Sequence, residues 1–146
     1  MKKVHKSVLL WYSAPEMFAL VTDISSYPKF LPWCDRAAVL SADEHGVQAE
    51  VGIAFGGIRQ TFVTRNTHVP DREVEMALVN GPFSRLDGHW TFTPVGDTAQ
   101  RACKVELDLA YAFRNAALAV LVGPVFDRIA GSLVDAFVKR AGQVYG

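Results

Sequence analysis

Residues Asn115–Gly146 read NAALAVLVGPVFDRIAGSLVDAFVKRAGQVYG. Large apolar side chains fall at Leu118, Val122, Val125, Phe126, Ile129, Leu133, Phe137 and Val144, with Ala141 filling one step. Steps of three and four, or their sums, put them on one stripe of an α-helix. Asp127, Arg128, Asp135, Lys139, Arg140 and Gln143 fall on the other face. Gly123-Pro124 interrupts the pattern, so the regular helix is expected from Pro124 onward. About 22 residues would make it roughly 33 Å long, the width of a small domain. Such a stripe needs a broad apolar partner, which the preceding residues must build.

Between residues 36 and 113 the period changes from helical to two. Ala37–Ser41 reads as a strand and Glu44-His45-Gly46 as a hairpin turn. Val47, Ala49, Val51, Ile53 and Phe55 then alternate with smaller or polar residues up to a Gly56-Gly57 turn. Ile58–Val69 is a longer strand that turns at Pro70-Asp71. Val74, Met76 and Leu78 alternate next, before Asn80-Gly81-Pro82 breaks the chain. Leu86, Gly88, Trp90 and Phe92 share a face, and Val95-Gly96-Asp97 ends their strand. Cys103, Val105, Leu107, Leu109, Tyr111 and Phe113 give the cleanest alternation in the chain. Short links between such strands imply antiparallel hairpins with one dry face.

Ahead of them, Lys3–Tyr12 reads as a first strand. Ser13-Ala14-Pro15-Glu16 matches a capping box that opens a short helix. A second brief helix is expected to stop before Pro28. Tyr27-Pro28-Lys29-Phe30-Leu31-Pro32-Trp33-Cys34 is then an apolar loop, because its two prolines forbid a continuous helix or an interior strand. It reads either as a plug at one end of the core or as a lip over a cavity. The expected fold is α+β: a curved antiparallel sheet of about seven strands wrapped around a long C-terminal helix, with two short helices after strand 1. Residues 1–146 are expected to form a single domain.

Composition narrows the function. Half the residues are hydrophobic and 21% are charged, against disorder. Fifteen basic and fifteen acidic residues give zero net charge, without the basic stripe of a DNA binder. The two cysteines, Cys34 and Cys103, have no metal or CxxC spacing and read as buried thiols. Met1-Lys2-Lys3 is not followed by an apolar run, and Ala116–Phe126 is about half a bilayer span. A soluble, cytoplasmic protein is expected, with at most peripheral contact at the inner membrane. His5, His45, His68 and His89 fall in no metal-binding spacing and are each expected to face solvent. No nucleophile elbow, phosphate loop or dinucleotide motif is present, so no catalytic residue, metal or cofactor is expected. Arg59, Arg65 and Asn66 stay unassigned to a face, because Phe62-Val63 leaves the parity of their strand open.

The order of elements and three motifs resemble the START-like (helix-grip) superfamily. The motifs are VTDISSYPKFLPWC at Val21–Cys34, NGPFSRL at Asn80–Leu86 running into WTFTP at Trp90–Pro94, and VDAFVKRA at Val134–Ala141 with a final Val144-Tyr145-Gly146. Within it the chain is similar to the coenzyme Q-binding START group, which also holds ribosome association toxins and oligoketide cyclase-like proteins. The resemblance implies a non-catalytic protein that holds a polyprenyl quinone or related lipid between sheet and helix and supports respiration. The alternative it implies is binding to the large ribosomal subunit to block subunit joining. A third is polyketide cyclisation. For the first, the candidate ligand-binding residues are Tyr27, Phe30, Leu31 and Trp33 in the loop. Phe55, Met76, Trp90, Phe92, Leu109 and Tyr111 are the candidates on the strands, and Val122, Phe126 and Ile129 on the helix. Leu118–Ile129 is expected to form cavity wall and Leu133–Val144 to pack as core.

Overall fold

The computed structural model describes residues 1–96 and 101–146. Its strands are β1 (Lys2–Leu10), β2 (Cys34–Asp43), β3 (Gly46–Phe55), β4 (Ile58–Val69), β5 (Glu73–Asn80), β6 (Phe83–Pro94) and β7 (Cys103–Phe113). Helix α1 (Ala14–Thr22) and a 3₁₀ helix (Ile24–Lys29) join β1 to β2, and α2 (Ala116–Tyr145) ends the chain. The strands form one antiparallel sheet in the order β1-β7-β6-β5-β4-β3-β2. Consecutive strands β1 and β2 therefore lie on opposite edges. The two short helices carry the chain between those edges, and the α+β helix-grip arrangement follows.

The sheet's dry face comes from in-register rows. Leu86 pairs with Tyr111, Gly88 with Leu109, Trp90 with Leu107 and Phe92 with Val105. All eight are buried. The C-terminal half of α2 packs Val134, Phe137 and Ala141 onto Trp90, Phe92, Leu107 and the Met17–Leu20 face of α1. Its N-terminal half packs Val122, Phe126 and Ile129 onto Phe83, Leu86, Leu109 and Tyr111. Behind Phe126, the Tyr111 hydroxyl donates to Asp127 Oδ1 at 2.6 Å, and Lys2 pairs with the other carboxylate oxygen. One acid thus ties β1, β7 and α2 together.

Local signals explain most boundaries. Ser13 Oγ accepts from the Glu16 amide at 3.2 Å and Glu16 Oε1 accepts from the Ser13 amide at 2.9 Å, the expected capping box. Asp43 Oδ1 accepts from the His45 and Gly46 amides in the β2–β3 turn. A Cβ on Gly46 would lie 1.9 Å from the Asn66 carbonyl oxygen, so only glycine permits this strand approach. β1 is shorter than expected and β2 longer. In the expected Val95-Gly96-Asp97 turn, Asp97 lies outside the described residues.

Two helix expectations are corrected. α2 does not begin at Pro124. It starts at Ala116, where Asn115 Oδ1 accepts from the Leu118 amide at 2.9 Å, and continues through Pro124. Proline leaves the Val120 carbonyl without its N–H partner. Val120 is 77% exposed, so water can take that bond. The 3₁₀ helix likewise runs through Pro28 rather than stopping before it. Proline's φ suits helical backbone, and only one bond is lost.

Glu16 has a further role. Arg101 forms a two-pronged pair with it, both contacts 2.6 Å, and the guanidinium lies 5.3 Å from the Tyr12 ring centroid and 6.0 Å from that of Tyr145. The Tyr145 hydroxyl donates to the Glu16 carbonyl at 2.8 Å, closing the end of α2 onto α1. The Arg101 bonds outweigh burial and hold the Glu16 carboxyl down at about 2, from its usual 4.5. A depressed carboxylate stabilises the fold above its unfolded pKa and loses that effect as pH falls through the folded one. Arg101→Met is therefore expected to lower the urea midpoint at pH 7. The gap to the unmodified protein should close between about pH 4.5 and pH 2. A gap of equal size at pH 7 and pH 2.5 would show that the ion pair is not its source.

Candidate functional site

Midway along α2 the sheet and the helix part, leaving a cavity of about 80 Å³. Phe126, Ile129, Ala130, Leu133 and Phe137 form its helix wall. Met76, Leu86, Trp90 and Leu109 close it from β5, β6 and β7. Ala49, Val51, Phe62, Thr64 and Asn66 close it from β3 and β4. Ile24, Tyr27, Leu31 and Trp33 complete it from the 3₁₀ helix and the loop. The loop is pinned rather than loose: Leu31 N–H donates to the Tyr27 carbonyl at 2.9 Å, and Ala54 N–H to the Trp33 carbonyl at 2.8 Å. Leu31 is wholly buried. Gly88 makes room for Met76, because a Cβ there would come within 2.3 Å of the Met76 methyl.

The structure thus brings Tyr27, Leu31, Trp33, Met76, Trp90, Leu109, Phe126 and Ile129 around one void. It does not place Phe30, Phe55, Phe92, Tyr111 or Val122 there, and each has a physical reason. Phe30 packs behind the wall against Phe137, ring centroids 5.2 Å apart, with Arg140 over its other side. Phe55 ends β3 beyond the cavity, 40% exposed under the Arg128 guanidinium. Phe92 stacks on Trp90 and meets Phe18, on the α1 side of the core. Tyr111 turns its ring onto Phe126, 4.6 Å away, and spends its hydroxyl on Asp127. Val122 is buried one turn before Phe126, among aromatic rings rather than at the void. The division of α2 is corrected too: Leu133 and Phe137 border the cavity, whereas Leu118 and Val122 do not.

β4 supplies what the sequence left open. Its even positions face inward and its odd ones outward. Arg59 and Arg65 point to solvent and pair with Asp35 and Asp43. Thr64 and Asn66 are buried, at 4% and 6% exposure, the two polar side chains in the core among the described residues. The Thr64 hydroxyl donates to Asn66 Oδ1 at 2.7 Å. That bond fixes the amide with its NH₂ group free, donating to no other residue among those described. The cavity wall is thus mostly apolar, with Thr64 and Asn66 as its two buried polar side chains among the described residues.

His68 shares this inward parity, which corrects its expected solvent exposure. Its ring meets Phe18 edge-on at 5.7 Å, and Nε2 is buried without a partner. Burial, assisted by Arg65, lowers its pKa and keeps it neutral. His5 bonds Asp108 and His89 bonds Glu73 on the outer face. Burial pushes the Cys34 and Cys103 thiols up to about 11, so neither supplies a thiolate near neutral pH. Among the described residues no three His, Cys, Asp or Glu side chains converge as a metal site.

With this geometry in place, comparison with known proteins gives a consistent result. The family model described as polyketide cyclase / dehydrase and lipid transport matches residues 10–138.

The chain belongs to this family.

The family's START-like fold recurs in a START superfamily protein from Mycobacterium smegmatis, which covers 97% of this chain and 98% of its own at a TM-score of 0.80. At 18% identity that likeness concerns the fold alone. In sequence, the chain is 43% identical over 143 residues to the ribosome association toxin RatA of Pseudomonas aeruginosa, covering 98% of this chain and 97% of that one. It is 28% identical to the mitochondrial coenzyme Q-binding protein COQ10 homolog B of Xenopus laevis, covering 97% of this chain and 58% of that protein. Family membership thus spans differently named relatives, and the site has to discriminate among them.

Proposed function

We propose that this family member binds a hydrophobic small molecule of the polyprenyl-quinone type, without transforming it. The observation that carries this reading is the Thr64–Asn66 pair inside a mostly apolar cavity. Thr64 and Asn66 satisfy each other in part, and the amide NH₂ left over is a buried donor that costs stability until it meets an acceptor. An oriented NH₂ suits a ring carbonyl, and the surrounding aromatic and aliphatic side chains suit the ring faces and an isoprenoid chain. The void holds about 80 Å³, less than a drug-sized site. A ring can begin to occupy it, and a polyprenyl tail requires the loop and α2 to move apart.

Trp33 and Trp90 border the void, so a short-chain ubiquinone analogue should quench their fluorescence on binding. Asn66→Leu keeps the side-chain size and removes the donor. It is expected to weaken the analogue's affinity by roughly five- to tenfold, the worth of one hydrogen bond, and to cost about 1–3 kcal/mol of stability because the buried Thr64 hydroxyl loses its acceptor. No quenching, together with no lipid extracted from protein purified from its own cells, would overturn the reading.

The 43% identity to a ribosome association toxin favours a second reading, association with the large ribosomal subunit. Zero net charge argues against broad contact with ribosomal RNA and for contact with a ribosomal protein. Absence of co-sedimentation with large subunits at low salt would exclude it.

A further inference from the structure

The first turns of α2 carry a surface that the cavity does not explain. Positions 114, 117, 121, 124 and 128 are three or four apart and form one line along the helix and its approach. They read Arg114, Ala117, Leu121, Pro124 and Arg128, all exposed, with Val120 beside them. Val120 is 77% exposed and Leu121 60%. The opposite side of the same turns is buried through Val122, Gly123 and Phe126. This is an aliphatic strip with an arginine at each end, roughly 17 Å from Ala117 to Arg128. No acid occurs between Arg114 and Phe126. The next, Asp127, is turned to the sheet and held by Tyr111 and Lys2.

By length and composition α2 is apolar enough to cross a bilayer. It is instead packed along the sheet, with its outer apolar strip left in solvent.

We propose that this strip docks the protein on an anionic lipid bilayer, with Val120 and Leu121 entering the interface and Arg114 and Arg128 meeting lipid phosphates. A helix lying in the interface plane needs an apolar face bordered by basic residues. Arginine stems can reach headgroups while their carbons cover apolar surface. Two other occupants fit worse. A second copy packed antiparallel would set Arg114 against the partner's Arg128, a like-charge contact. A nucleic acid would gain from the arginines and nothing from the exposed valine and leucine.

Flotation of the full chain with vesicles tests the proposal. Vesicles of equal parts phosphatidylglycerol and phosphatidylcholine should carry the protein up, and vesicles of phosphatidylcholine alone should carry much less. Val120→Asp with Leu121→Asp should cut binding about tenfold or more, with circular dichroism and melting unchanged. Arg114→Gln and Arg128→Gln should each cost about fivefold on anionic vesicles only, an effect that added salt removes. Failure to float, or flotation indifferent to all four substitutions, would overturn the proposal. So would a dimer in sedimentation equilibrium that the double aspartate variant dissociates. Neither valine nor leucine borders the cavity, so quinone quenching that survives in the aspartate variant separates loss of docking from loss of ligand binding.

Discussion

Phe137→Ala is expected to destabilise the protein by about 3–5 kcal/mol, the range for truncating a buried aromatic residue. Phe137 is 2% exposed and lies at the centre of three edge-to-face contacts. Its ring centroid is 5.5 Å from Tyr27, 5.2 Å from Phe30 and 5.3 Å from Trp90. Through them one helix residue holds the 3₁₀ helix, the loop and β6 together. Each such contact is worth about 0.5–1.5 kcal/mol beyond the area it buries. The truncation also enlarges an existing void, so collapse cannot recover the loss. For a chain of this length the melting temperature should fall by roughly 6–20 °C. Urea unfolding is the direct measurement. A loss below about 1.5 kcal/mol would show that Tyr27 and Phe30 are held without it.

The opposite change, Ala130→Leu, is expected to abolish ligand binding while leaving the fold intact. Ala130 is wholly buried on the helix wall of the cavity. Leucine adds three carbons to the wall of a cavity of about 80 Å³. Filling a void gains apolar contact, whereas overpacking costs about 1–3 kcal/mol. The two should nearly cancel, with a net change within about 1.5 kcal/mol. Affinity for a short-chain quinone should fall more than tenfold, because the ring's space is taken. Unchanged quenching of Trp33 and Trp90 in this variant would place the ligand elsewhere. Together the two substitutions separate residues that hold the wall from space that receives the ligand.

Much of this site is legible in the sequence, including the inward face of β4. Phe62-Val63 taken alone leaves the parity of β4 open. The Gly56-Gly57 hairpin closes it, because a two-residue turn fixes which residues pair. Phe55 pairs with Ile58, hence Val51 with Phe62, Ala49 with Thr64 and Val47 with Asn66. Ala49 and Val51 alternate inward, so Phe62, Thr64, Asn66 and His68 follow. The polar pair and the inward-facing histidine follow from carrying one strand's parity across its turn. Phe137 packs as core as its place on the helix implies, and its position on the cavity wall was hidden for another reason. Gly123-Pro124 suggested a helix in two functional halves, whereas exposure at Val120 lets the helix pass through the proline.

The sequence by itself determined the element order, the antiparallel pairing and the inward face of the strands with clean alternation, β3, β5, β6 and β7, because periods of two and 3.6 follow from backbone geometry alone. It could not decide which inward residues meet each other and which meet empty space. Trp90 and Phe92 share one face of one strand, yet only Trp90 borders the void. Alternation is two-valued, inside or outside. A cavity arises where the sheet draws away from the helix, and that separation depends on side chains from seven elements and the loop at once.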